Sequence, residues 1–363
     1  MNRIRIFIIL LVPFLLISCE KDYNKDKPKP DNDTILNIDT VLCEFLEGWK
    51  ISKYSFPFDI NVRDIFFINE KTGFVVGYNG NIYKTINAGE SWQKQNSGTT
   101  LHLYSVFFLN DSTGFVSGRA ITDLSDDGGK GCVLLRTDNG GETWTKKFFQ
   151  DYIDIRCLRF FNENNGLAII YTPDIPNSKD YYMSKTSDGG DSWEFIDLSI
   201  NPVYETYNYV DNVIFIAGEN QKIFKSKDYG NSWETINTPI PSSEDVYHFY
   251  FYNEEIGFID GVNHFRTLNG GINWETIDFP TSLFDNFHFY NETEGFNTEP
   301  VFEYEGEVEV YKGTRSFQTF DGGKSWQKSK LVDTLCFGWC SHFPERNLGY
   351  NIHEPNFYTI KKK

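Results

Sequence analysis

The chain has 363 residues, a formal net charge of −17 and a pI near 4.8. That acidity repels nucleic acid and anionic surfaces, so a nucleic-acid partner is excluded as a general role. Aromatics make up 17% of the chain, with 33 Phe, 21 Tyr and 8 Trp, far more than a disordered chain carries, so a large packed core is expected.

The N-terminus opens with a basic Arg3 and Arg5, continues as an apolar run from Ile6 to Ile17, and reaches Leu16-Ile17-Ser18-Cys19. The run is short for a spanning helix of about 20 residues. The pattern resembles a bacterial lipoprotein signal, which implies removal of residues 1–18 and lipidation of Cys19. Residues 19–40 are rich in Lys, Asp, Asn and Pro and read as a solvated tether. The Glu20-Lys21-Asp22 that follows Cys19 resembles the surface-export signal of Bacteroidetes-type lipoproteins. These features together imply an outer-membrane lipoprotein, facing the periplasm or the cell surface, that meets the membrane through its lipid anchor alone.

From residue 41 to residue 363 the sequence repeats. A box of the form Thr-x-Asp-x-Gly-x-Ser-Trp ends at Trp92, Trp144, Trp193, Trp233, Trp274 and Trp326, at intervals of 40 to 52 residues. A period of that size in a chain rich in Phe, Tyr, Val and Ile marks a radial array of small sheets. Each unit holds an aromatic first strand such as Ile65-Phe66-Phe67, a polar turn, a Gly-Phe second strand such as Gly73-Phe74, a short third strand such as Ile82-Tyr83-Lys84, the box, and a closing strand.

The box itself reads as a hairpin loop. Asp188 accepts backbone hydrogen bonds within its own turn, Gly190 supplies a positive φ, and Trp193 anchors the outer strand. The same roles fall to Asp138, Gly141 and Trp144, to Asp228, Gly230 and Trp233, and to Asp321, Gly323 and Trp326. Asn87 with Gly89 and Trp92, and Asn269 with Gly271 and Trp274, keep the acceptor and drop the charge, so the acid is structural.

Half a unit remains at each end. Cys340–His342, Gly349–Ile352 and Phe357–Ile360 read as three strands without a box, and Gly48-Trp49-Lys50-Ile51 as a fourth strand without predecessors. Joining them gives an all-β, seven-bladed β-propeller of four-stranded antiparallel blades, the last blade closed by the N-terminal strand at Trp49. Closure removes two exposed sheet edges. Cys43 beside Cys336 or Cys340 would allow a disulfide across the seam, and Cys132 with Cys157 would allow another between neighbouring blades; free buried thiols are the alternative for each.

These residues resemble the Asp-boxes of BNR-type propellers, found in sialidases, two-domain xyloglucanases, sortilin-like receptors and photosystem II assembly factors. With Gly-Phe strands and Asp-Gly-Gly-x-Ser-Trp turns, the chain is most similar to the assembly factor-like (Ycf48-type) propellers. That resemblance implies the fold and a binding or assembly role. Sialidase chemistry would require three arginines on a carboxylate, a Tyr-Glu pair and an acid/base Asp, and the arginine-bearing first-strand motif of sialidases is not visible. Arg63, Arg156 and Arg159 precede or lie in first strands near the axis, where they would make a partial anion site.

The remaining chemistry is sparse. No pair of histidines has helical ligand spacing and no Cys-x-x-Cys occurs, so no metal and no other cofactor are expected. His248 and His288 fall at matching points of successive first strands and read as ordinary strand histidines. Insertions at Ile121–Gly131 and Glu303–Gly313 precede third strands, and the second reads as an extended hairpin with an acidic, solvated edge. The expected function is therefore non-catalytic: binding of an envelope protein or glycan, or assembly of a complex. The alternative is a glycan-acting hydrolase of the sialidase-like BNR superfamily.

Overall fold

The computed structural model describes residues 38–39, 49–55, 61–119, 131–172, 181–196, 202–210, 212–218, 222–241, 246, 248–260, 263–279, 288–305, 308–328, 340–353 and 356–362. They form seven antiparallel sheets arranged in a ring, a seven-bladed β-propeller. The first strand of each blade lines the axis, and neighbouring first strands touch, as Val62–Phe67 of blade 1 meets His102–Phe108 of blade 2. Because strand direction alternates, every box lies on one face of the ring together with the turn joining first and second strands. The second-to-third loops and the connections between blades lie on the opposite face.

The seam closes as the half-units require. Trp49–Ser55 pairs along its whole length with Asn356–Lys362, from Trp49↔Lys362 to Ser55↔Asn356, and completes blade 7 behind Cys340–Glu345 and Leu348–His353. The sheet also extends into the segment read from sequence as tether: Ile38–Asp39 pairs with Tyr54 and Lys53 as a fifth strand. Cys132 and Cys157 are buried free thiols, so no disulfide joins them. Cys19, Cys43 and Cys336, and the side chain of Cys340, lie outside the described residues.

One packing unit, repeated between blades, accounts for the aromatic content. A Phe of the second strand stacks face to face on the last Phe of the next blade's first strand: Phe74 on Phe108 at 4.1 Å, Phe115 on Phe160 at 3.6 Å, Phe215 on Phe251 at 3.9 Å, and Phe258 on Phe289 at 4.8 Å. At the seam Tyr350 takes that place on Phe67 at 3.5 Å. The box tryptophan of the second blade then stands edge-on to the pair, as Trp144 does to Phe74 and Phe108. Face-to-face and edge-on contacts of this kind add to the area they bury. Where a glycine precedes that Phe, it is needed because the preceding strand's ring lies over it: a Cβ at Gly114 would come within 2.4 Å of Phe108.

The boxes join blades as well as turning them. In every copy a leading Thr or Ser, buried in the sheet, accepts a hydrogen bond from the box glycine N–H and donates to the acid or amide, as Thr186 does to Asp188 at 2.8 Å. The box glycine has φ near +85° and its Cα rests on the previous blade. A Cβ at Gly89 would lie 2.1 Å from Phe357 of blade 7, and one at Gly271 would lie 2.3 Å from Ile236 of blade 4. Positive φ and close approach thus both select glycine here.

Blade 2 corrects the sequence assignment. The acceptor is Asn139, not Asp138: Asn139 Oδ1 takes the Thr143 N–H at 3.0 Å and the Thr137 hydroxyl at 2.9 Å. Asp138 sits one residue early and pairs at the surface with Arg136 at 2.9 Å. Asn87, Asp188, Asp228, Asn269 and Asp321 take the expected role. Where the residue is Asp, the Ser hydroxyl donates to it, and against the upward push of burial the Asp188 carboxyl is held down to about 2 by the summed hydrogen bonds from Ser192, Thr186 and the Asp191 backbone. Where it is Asn the side-chain bond reverses, with Asn139 Nδ2 donating to Thr143 Oγ1 at 2.8 Å.

Candidate functional site

First strands carry polar side chains that cap the backbone of the next blade. Asp64 Oδ2 accepts from Val106 N at 2.9 Å, Asn208 Oδ1 from Phe251 N at 3.1 Å, Tyr250 Oη from Phe289 N at 3.2 Å, and His342 Nδ1 from Phe67 N at 3.0 Å. His288 contacts the Arg346 carbonyl through Nε2 at 3.0 Å and stacks on Phe343 at 3.8 Å. Burial lowers both imidazoles, His288 to about 4 and His342 to about 3, the latter with help from Arg159. Neutral histidines thus serve the ring, as expected of strand histidines; the side chain of His248 is not among the described residues. Arg159 lies over Phe107 at 4.7 Å and near Tyr209 at 5.3 Å, so it packs within the axis rather than joining an anion site.

On the face opposite the boxes the chemistry gathers. The first strands of blades 1 and 2 each carry one extra residue against the second strand: the register steps from Val62 to Asp64 across Arg63, and from Leu103 to Ser105 across Tyr104. A bulge re-aims the extra side chain and is favoured next to binding sites. Here the two bulges turn Arg63 and Tyr104 toward each other. Blade 3 carries a similar shift between Arg156 and Arg159, with buried Cys157 at φ 56° inside it.

Three guanidiniums converge on the Tyr104 ring, with Arg119 at 5.0 Å, Arg156 at 5.1 Å and Arg63 at 5.7 Å from its centroid. Arg63 also lies 4.4 Å over the Tyr78 ring and donates to the Tyr78 hydroxyl. His102 stacks on the other side of this group, 3.9 Å from Tyr78, and its Nδ1 accepts the Asn79 N–H at 3.3 Å. Burial, then Arg119 and Arg63, lower the His102 pKa, so the imidazole adds no charge at neutral pH. Asp154 is 1% exposed and supplies the counter-charge, 2.6 Å from Arg156 and 3.6 Å from Arg119.

Among the described residues three guanidiniums and the Asp154 carboxylate gather at the mouth of a ring whose overall charge is strongly negative. The guanidiniums lie beside aromatic rings, and a guanidinium can present paired N–H donors to carboxylate or phosphate. Among the described residues no carboxylate bonds the Tyr104 hydroxyl, and the Tyr104 ring lies against the guanidiniums. Among the described residues no cluster of His, Cys, Asp or Glu would hold a metal ion.

Sequence reasoning found Arg63 and Arg156 but assigned Arg159 in place of Arg119. Tyr78, Tyr104, His102 and Asp154 carried no signal, because bulges that bring them together leave the strand pattern unchanged. The insertion Ile121–Gly131 begins two residues after Arg119, and apart from Gly131 it lies outside the described residues.

A ring of Asp-box blades with an arginine- and tyrosine-lined mouth defines the class, a BNR-type seven-bladed propeller. Residues 45–153 match the family model described as photosynthesis system II assembly factor YCF48, so that part of the chain is similar to this family in sequence. Two YCF48 structures share its fold: one bound to a D1 peptide, with TM-score 0.63, 16% identity, and coverage of 88% of this chain and 98% of that one, and one from Cyanidioschyzon merolae, with TM-score 0.58, 16% identity, and coverage of 86% and 99%. The GH74 enzyme of Niastella koreensis is similar over 84% of this chain and 51% of its own, with TM-score 0.56 and 13% identity, so the ring spans about half of that enzyme. No protein of curated function matches the sequence.

Proposed function

We propose that this is a non-catalytic, lipid-anchored propeller of the cell envelope that holds an acidic segment of a partner protein at the arginine–tyrosine mouth. The observation that carries this reading is the convergence of Arg63, Arg119 and Arg156 on Tyr104. A protein partner is favoured over a glycan because the clustered guanidiniums suit a carboxylate, and because a YCF48 of the same fold is bound to a peptide. The lipid anchor rests on the Cys19 signal and the tether composition.

The test is fluorescence anisotropy with acidic peptides and their amide-neutralised counterparts, beside a glycan array. Acidic peptides should bind with salt-dependent affinity, and Arg63→Gln or Arg119→Gln should weaken them by about 10-fold to 100-fold, the range of one lost charged hydrogen bond. Equal binding by neutral peptides, or binding unchanged in both variants, would overturn the assignment. The competing hydrolase reading draws on the shared GH74 fold and on the three arginines. Release of reducing ends from envelope glycans, abolished in Arg119→Gln, would establish it instead.

A further inference from the structure

The box face has a second asymmetry that the repeat does not require. Among the described residues the exposed large hydrophobic side chains are Ile86, Tyr229, Leu268, Ile272 and Phe320, and all of them lie in boxes. Ile272 is 80% exposed and Ile86 68%. Single exposed hydrophobics need no explanation, but a face that collects all of them does. At the position after the leading Thr or Ser, blades 1, 5 and 6 carry Ile86, Leu268 and Phe320, where blades 2 and 3 carry Asp138 and Ser187. At the position after the box glycine, blade 5 carries Ile272 where blades 2 and 3 carry Glu142 and Asp191.

The apolar positions adjoin. Arg266, at the end of blade 5's third strand, donates to the Gly322 carbonyl in the box of blade 6, and Lys225 of blade 4 reaches the Glu254 carbonyl of blade 5. Between blade 6 and Ile86 of blade 1 stands the box-face end of blade 7, with exposed Lys361 and with Lys362 bonded to Glu294. Lys71 and Lys324 are exposed on the same face. One side of the ring therefore offers aliphatic and aromatic tips, with Lys71, Lys324 and Lys361 and the exposed acids Glu70, Glu90, Glu255 and Glu292 around them.

We infer that this arc, Leu268, Ile272 and Phe320 with Ile86, rests on a lipid bilayer, the tips inserted at the headgroup boundary. The inference builds on the membrane-anchored reading above. Turn-borne apolar side chains beside lysines suit an interface, and burial of the apolar tips, rather than charge attraction, would hold the ring on this arc. The chain outside the structure permits it. Ile38 pairs with Tyr54 at the arginine-face end of the outer strand, and the stretch back to Cys19 spans roughly 60 Å when extended, enough to pass a blade about 20 Å tall. With the box face on the membrane, the arginine–tyrosine mouth opens away from it, toward a partner.

Vesicle sedimentation tests this with the full mature chain from residue 19, made as Cys19→Ser so that no acyl chain contributes. The chain should co-sediment with zwitterionic phosphatidylcholine–phosphatidylethanolamine vesicles. A Leu268→Ser, Ile272→Ser, Phe320→Ser variant with an unchanged circular dichroism spectrum should lose about tenfold in partitioning, whereas Asp138→Ser should not weaken it. No binding by the parent chain, or equal binding by the triple variant, would sink the inference. So would a dimer of the parent chain that the triple variant abolishes, which would assign the arc to a second copy. The mass of Cys19 in the wild-type chain from its envelope reports separately: an unacylated cysteine defeats the anchor reading alone.

Discussion

Blade 2 offers a direct trial of the structural account of the box, because sequence pattern and geometry name different residues. Asn139→Ala removes the acceptor for the Thr143 N–H at 3.0 Å and for the buried Thr137 hydroxyl at 2.9 Å, and the donor to Thr143 Oγ1 at 2.8 Å. In a half-exposed turn each such bond contributes about 0.5–1 kcal/mol, so the variant should lose about 2 kcal/mol. Asp138→Ala removes only an ion pair whose side chains are 63% and 29% exposed, a contact of about 0–0.5 kcal/mol. Asn139→Asp keeps both acceptors, and Thr143 has only to donate as Ser192 does to Asp188 at 2.6 Å; it should stay within about 0.5 kcal/mol of wild type.

Urea unfolding followed by tryptophan fluorescence is the assay, since Trp144 sits at the end of the same box. For a ring of this size, 2 kcal/mol should move the midpoint by about half a molar with the slope unchanged. If Asp138→Ala proved as costly as Asn139→Ala, the turn would be held by the acid at the earlier position and the hydrogen-bond account of the box would fail.

Ser52→Pro, in the middle of the strand that pairs with Asn356–Lys362, should open the seam, costing about 3 kcal/mol and producing oligomers in size-exclusion chromatography; a monomer of wild-type stability would show that closure contributes little. His342 is held neutral inside the ring, so its folded pKa of about 3 lies below the ordinary 6.5. Between those values the unfolded chain binds the proton and the folded chain does not. Stability from this group should therefore be complete above pH 6.5 and fall as the pH drops toward 3, by roughly 4–5 kcal/mol at most. His342→Asn should flatten that slope in unfolding midpoints measured across the range. Gly271→Ala adds a Cβ 2.3 Å from Ile236 at φ 88° and should cost about 2–4 kcal/mol, read as a fall in the thermal midpoint.

The ring was legible because its signal is repeated. Six boxes mark six blades, the half-units at the two ends make the seventh, and Trp49 lies on the period of the boxes, which places the closing strand. Roles within the box were legible where local chemistry determined them, in Asp188 and Gly190. They were not legible where the neighbour determined them: Gly89 is selected as much by Phe357 as by its own φ, and the leading Thr85 received no role although its hydroxyl organises the turn. Asp138 misled for a related reason, since an acid in the right neighbourhood looks like the acceptor until Thr137 shows which residue it faces.

The cationic mouth lies beyond sequence pattern for a deeper reason. A bulge adds one residue to one strand, and its effect is to change which side of the sheet a side chain occupies without changing composition or period. Arg63 and Tyr104 are the added residues of two adjacent blades, so each would point elsewhere in a regular strand. Together with Arg119, which ends the second strand of blade 2, and Arg156, which begins blade 3, they draw on three blades that the repeat otherwise makes alike. The repeated residues stack Phe on Phe and bind box to blade, and that work fixes them in every copy. Function must then fall on positions that break the repeat. In this ring those positions concentrate on two surfaces: bulged arginine and tyrosine on one face, and apolar box tips on the other. Opposite faces with opposite chemistry suit a protein that holds a membrane on one side and a partner on the other, and the vesicle and peptide experiments test each face without depending on the other.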